Sequence, residues 1–164
     1  MMSQGNVSNQ SIDNSNRFIK VIEVKNPKSF ENLINFDIDD ELRPCLNNRF
    51  DSRYTITAFM VEVNGIIFGH AICFYDIKDN ITFFGYFGTY GQNPKLINLL
   101  LEKIIKFGET TKSRFIIGPY NLLSGTPSLG FHKQEHEDYI KSFIKSGFSE
   151  LRKRNLLILL IKHF

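Results

Sequence analysis

The chain has no tryptophan and only two cysteines, Cys45 and Cys73, which form no C-x-x-C spacing. That excludes a disulfide-stapled secreted scaffold and a cysteine-based zinc ribbon, and predicts buried, reduced thiols. No apolar stretch approaches the length of a membrane span, and the first residues lack a basic start followed by an apolar run, so a soluble, cytoplasmic chain with no membrane partner is expected. An excess of one charge sign is also lacking. The formal net charge is +3 and the basic residues are scattered, apart from Arg152, Lys153 and Arg154. No nucleic-acid partner is expected from this balance, and the triplet reads as the solvated end of a strand hairpin. Internal repeats are absent.

What the chain does have is phenylalanine. Sixteen Phe and six Tyr among 164 residues predict a Phe-rich core with room for an aromatic-lined cleft. The length suits one domain that buries roughly 70% of the unfolded chain's surface. Residues 1–16 are polar and rich in Ser and Asn, cannot offset the entropy of ordering, and are expected as a disordered tail before a single domain over 17–164.

The element pattern predicts a mixed α+β sheet. A first strand is expected over Phe18 to Val24, then a helix opened by Pro27, with Phe30, Leu33 and Ile34 inward, and a short helix and loop over 37–53. Thr55 to Tyr75 reads as a hairpin about Asn64-Gly65, the strongest two-residue turn signal, and Asp79-Asn80 turns the chain into a third strand. Phe83 to Asn121 then reads as strand, glycine turn, helix, strand. Pro94 stands at the first helical position, Ile97, Leu100, Leu101, Ile104 and Ile105 fill one face, and Gly108 offers a stop. A crossover of this length places the strands on either side of the helix parallel in one sheet. Glu135 to Ser146 reads as an amphipathic helix, and Phe148 to Ile161 as one long or two short strands.

The turn at the carboxyl end of strand 83–88 suits an anion, because helix-start amides and the dipole point outward there. Gly88 and Gly91 would let backbone approach a phosphate, although the spacing matches neither the P-loop nor the dinucleotide fingerprint. His132-Lys133-Gln134-Glu135-His136 matches H-x-x-E-H, but the helix starts only near Glu135 and only Glu150 follows as a later Glu, so no metal is expected. Gly125 to Gly130 is not a G-x-S-x-G elbow.

The order of elements is similar to the GNAT acyltransferase fold over nearly the whole ordered chain. Asn64 to His70 resembles the turn and following strand of those enzymes, and Lys145-Ser146-Gly147-Phe148 resembles their K-x-G-F helix end. FFGYFG at 83–88, IGPYN at 117–121 and Tyr139 resemble uncharacterised bacterial GNAT-like proteins with an F-G-F-F-E strand and a G-P-x-N segment. The resemblance implies acetyl-CoA or another acyl-CoA as co-substrate and an amine or small-molecule acceptor, in a monomer or homodimer. Phe87, Gly88, Thr89, Gly91, Gln92, Asn93 and Lys95 would then line the pyrophosphate turn, with Asn121 beside the pantetheine. The helix-start motif [QR]-x-x-G-x-[GA] is absent, Gly88 stands where the related strand carries Glu, and Phe143 stands where many relatives place an acidic Tyr. Tyr139 is therefore expected as the acid, and His70, Tyr86 or a water held by backbone carbonyls as the base. The alternative is a GNAT-shaped acyl-CoA-binding module without catalysis.

Overall fold

The computed structural model describes residues 6–12, 18–25, 54–120 and 130–164. The helix expected from Pro27, the segment 37–53, Cys45 and Asn121 lie outside the described residues. Among the described residues, nine strands form one sheet: β1 (Asn6–Ile12), β2 (Phe18–Lys25), β3 (Tyr54–Val63), β4 (Ile66–Asp76), β5 (Ile81–Thr89), β6 (Phe115–Gly118), β7 (Phe131–His132), β8 (Ser149–Arg154) and β9 (Leu157–His163). Their order is β1-β2-β3-β4-β5-β6-β9-β7, with β8 on the other edge of β9. Every pairing is antiparallel except β5 with β6, as the crossover argument requires. The fold class is α+β.

The polar segment expected as a tail departs from that reading. Residues 6–12 form β1, antiparallel to β2 from Asn6↔Glu23 to Ile12↔Phe18. A sheet edge recruits a strand through main-chain hydrogen bonds, which side-chain composition does not reveal. The central hairpin follows its turn chemistry. Asn64 (φ 51) and Gly65 (φ 84) both adopt the left-handed conformation that a type I′ turn needs.

Two helices among the described residues lie over one face of the sheet: α1 (Pro94–Thr110) and α2 (Glu137–Lys145). Leu96, Ile97, Leu100, Leu101 and Ile104 of α1 pack with Val61, Ala71, Cys73, Phe84 and Phe87 of the sheet, and Tyr139 and Phe143 of α2 join the same core. Burial, and then the charge of Glu23, pushes the Cys73 thiol well above its ordinary range. The opposite face is apolar as well, built from Ile22, Ile56, Ala58, Met60, Ile72, Phe74 and Tyr86.

Gly108 does not stop α1. The helix runs to Thr110, and Lys112 takes the left-handed conformation (φ 55) in a Schellman closure in which Lys112 N–H donates to Glu109 O and Ser113 N–H to Gly108 O. Gly108 is kept for packing instead, since a Cβ there would meet the Ile116 side chain at 2.6 Å. The K-x-G-F segment ends α2 by the same device. Gly147 (φ 99) is the left-handed residue, its N–H donates to Ile144 O, Phe148 N–H donates to Phe143 O, and the Phe143 and Phe148 rings meet at 5.0 Å. Beyond it, β8 and β9 form the second of the two expected alternatives, two strands. All six residues of β8, the basic triplet among them, are exposed.

Candidate functional site

The β5 strand carries the site because it parts from β6. The two pair only at Thr82↔Ile116 and Phe83↔Ile117. Past that point Tyr120 N–H donates to Phe84 O at 2.7 Å, and the line of β6 is resumed along β9 by β7, at Phe131↔Ile158. Among the described residues, the second half of β5 thus has β4 on one side and a gap on the other. Aromatic rings fill the helix side of that gap: Phe84 stacks on Phe143 at 4.9 Å, and Phe87 meets Tyr139, Phe131 and Phe143 between 5.1 and 5.9 Å.

A β-bulge bends β5 within this half. The register to β4 jumps from Ile72↔Gly85 to His70↔Gly88, leaving an extra residue on β5, and Tyr86 takes a positive φ of 49. Such a residue costs about 1–2 kcal/mol and persists only where its surroundings fix it. His70 does so here, because its Nδ1 lies 2.6 Å from Tyr86 O. A carbonyl only accepts, so Nδ1 is the donor in this contact.

The three residues expected to be catalytic are all buried, at 0% exposure for His70, 1% for Tyr86 and 2% for Tyr139. They do not converge. His70 meets the main chain of Tyr86, whose ring joins the core on the face away from the helices. Tyr139 comes from the helix side, and its hydroxyl accepts the Thr89 N–H at 2.8 Å and lies 3.2 Å from both Thr89 Oγ1 and Thr89 O. Both main-chain groups of Thr89 therefore face the gap, and the phenol holds them.

Thr89 leads into a 3-10 turn, Tyr90–Gln92, and then into α1. Gly91 is left-handed (φ 67) with nothing within 4 Å of where a Cβ would stand, so backbone is approachable from solvent there. Gln92 donates from its side chain to Glu135 O and ties the turn to the segment before α2. Asn93 caps α1 by accepting the Lys95 N–H at 2.9 Å. With Pro94 lacking an N–H, the cap reduces the amides that the first helical turn can offer. No acid stands in that turn, and the Lys95 side chain is the nearest cation in the sequence.

In the H-x-x-E-H segment both imidazoles are turned to the local backbone. His136 Nδ1 accepts the His132 N–H at 3.0 Å, and His132 Nδ1 faces the N–H groups of Gln134 and Glu135 at 3.3 and 3.2 Å. Among the described residues, no group of three or more His, Cys, Asp or Glu is arranged to hold a metal.

Sequence reasoning found the turn and the strand but missed the tie between Tyr139 and Thr89. It also missed the packing of Phe68 against Tyr90, at 5.4 Å between rings. A local signal exists for neither, because one joins residues fifty apart and the other depends on a bulge in β4.

The parted strands, bulged β5 and glycine turn before a long helix can be compared with solved structures. An acetyltransferase from Streptococcus agalactiae 2603 superimposes with a TM-score of 0.59 at 15% identity, over 89% of this chain and 98% of that one. The chain has a GNAT-like fold. PH1933 from Pyrococcus horikoshii OT3 follows with a TM-score of 0.55 at 16% identity, over 89% and 98%. The PaiA N-acetyltransferase of Thermoplasma acidophilum, solved with coenzyme A, gives 0.51 at 14% identity over 66% of this chain, and the shared part spans only 61% of that protein. No protein-family model and no curated protein matches the sequence.

Proposed function

We propose that this GNAT-like protein is an acyl-CoA-dependent N-acyltransferase that passes an acyl group directly to an amine or other small-molecule acceptor. The observation that carries the reading is the half-strand of β5, free of β6 and bent by a bulge, which runs into an approachable glycine turn at the head of a 17-residue helix. The coenzyme A bound by the Thermoplasma protein supports the same choice of co-substrate. The backbone of the turn from Gly88 to Lys95 would hold the pyrophosphate, with Gly91 its most approachable residue. The pantetheine would lie along the gap-facing edge of β5.

In this reading the thioester enters from the helix side and the acceptor from the side of His70 and Tyr86. His70, or a water held by the carbonyls of the bulge, takes the proton of the attacking amine. Tyr139 donates to the departing thiolate, and the amide at Thr89 that it now holds is the natural partner for the pantetheine amide or the developing oxyanion. The second reading, an acyl-CoA-binding module without turnover, is favoured by two features: Gly88 stands opposite His70 in the register with no carboxylate, and the Tyr139 hydroxyl is already engaged.

Calorimetry with acetyl-CoA and longer acyl-CoAs tests both readings, and an absence of binding at millimolar ligand overturns both. Release of free thiol in the presence of a panel of amines then separates enzyme from binding module. Gly91→Val is expected to weaken acyl-CoA binding at least tenfold, about 1.4 kcal/mol, because a β-branched side chain strains the left-handed turn and blocks the approach to its backbone. Unchanged affinity in a folded variant would remove the pyrophosphate from this turn.

A further inference from the structure

A second concavity lies on the helix face, on the side of α1 away from α2. It encloses about 220 Å³ where the start of β2, the end of β3 and the start of β4 meet the first turn of α1. Its floor is aliphatic and buried: Ile19 at 3%, Val63 at 4% and Leu96 at 5% exposure. Phe68 and Tyr90 form its wall, with rings 5.4 Å apart and tilted by 37°, and Tyr90 is 64% exposed. Asn93 and Lys95 stand at the rim.

The aromatic wall has a specific origin. The β3–β4 register slips from Val61↔Gly69 to Glu62↔Ile67, so Phe68 is the extra residue of a bulge. Ile67 packs with the far core, whereas Phe68 packs with the helix-side core, next to Gly69, whose missing Cβ would approach Leu100. A regular strand would send the Phe68 ring to the far face, and the bulge re-aims it into this cup.

We propose that the cup is a binding site for a small aromatic carboxylate, formed by side chains of the same turn whose backbone the acyl-transfer reading gives to the pyrophosphate, and tested without recourse to that reading. The volume fits one ring with a short side chain, given that a dry apolar cavity of about 150 Å³ takes benzene. Phe68 and Tyr90 supply faces and edges for that ring. The sign of the polar end is set by Lys95 together with the positive end of the α1 dipole, with no acid in the helix's first turn.

Ligand-observed NMR titration of the full chain with phenylacetate, with 2-phenylethanol as its uncharged counterpart, tests the proposal. Phenylacetate is expected to bind at least five times more tightly than 2-phenylethanol. Lys95→Gln should remove that preference by weakening phenylacetate alone, and Tyr90→Ala, at an exposed position, should weaken both. Equal binding of the two probes, binding of neither at 10 mM (about 2.7 kcal/mol of affinity), or unchanged binding in Tyr90→Ala overturns it. Displacement of phenylacetate by adenosine 3′,5′-bisphosphate also overturns it, because the cup would then be the seat of a nucleotide.

Discussion

At the scale of single residues, Tyr139 shows how one hydroxyl is shared between stability and chemistry. Its oxygen accepts the buried Thr89 N–H at 2.8 Å, while its ring packs against Phe87 and Phe131. Tyr139→Phe keeps the ring and takes away the acceptor, leaving a buried amide unsatisfied at a cost of about 1–3 kcal/mol. A chain of this size should then melt roughly 3–10 °C lower, a shift readable by calorimetry. Under the acyltransferase reading the same variant lowers kcat and leaves the KM for acyl-CoA in place, since a proton donor is lost and no pyrophosphate contact is touched. A variant with unchanged melting would show that Thr89 does not depend on the phenol. The sequence shows that a tyrosine lies one turn before Phe143. It does not show where the hydroxyl points, because the answer depends on β6 having left the side of β5.

At the scale of elements, local chemistry was legible wherever it is completed locally. Asn64-Gly65, Pro94 and Gly147-Phe148 each specify their own backbone, and each appears where sequence reasoning expects it. Gly108 misled for a physical reason: a glycine near a helix end serves equally as a stop or as a place of close approach. Gly108→Ala separates the two uses. Alanine in a helix gains up to about 1 kcal/mol over glycine, but its Cβ would stand 2.6 and 2.8 Å from the Cδ1 and Cγ1 of Ile116, which is fully buried, and 3.0 Å from the Phe164 ring. Overpacking of this kind costs about 1–3 kcal/mol. We expect the variant to be less stable than the parent by chemical denaturation, and a more stable variant would mean that α1 and β6 can move apart freely. The bulges at Phe68 and Tyr86 have no such local signature. Each is a mismatch of register between two strands, and FFGYF reads the same with or without it.

At the scale of the whole molecule, the order of strands around one parallel pairing was legible, because crossover length and turn chemistry leave few ways to lay the elements down. The addition of β1 was not, since main-chain pairing with β2 leaves no mark in side-chain composition. The sheet also ends on β8, whose Arg152, Lys153 and Arg154 are all exposed and which among the described residues pairs only with β9. A strand with an open edge can template another copy, and three adjacent cations oppose that approach. This protection belongs to the ionic atmosphere rather than to shape. The screening length falls from about 10 Å at 0.1 M salt to about 3 Å at 1 M, which is below the roughly 4.8 Å that separates paired strands. Raising sodium chloride across that range should therefore increase self-association in light scattering, where ordinary charge-driven complexes dissolve. A scattering radius that stays constant would show that the edge is guarded by something other than repulsion. If the radius grows, the colloidal behaviour of this protein is tuned by its solvent: a dilute electrolyte keeps the copies apart, and a concentrated brine lets them stack.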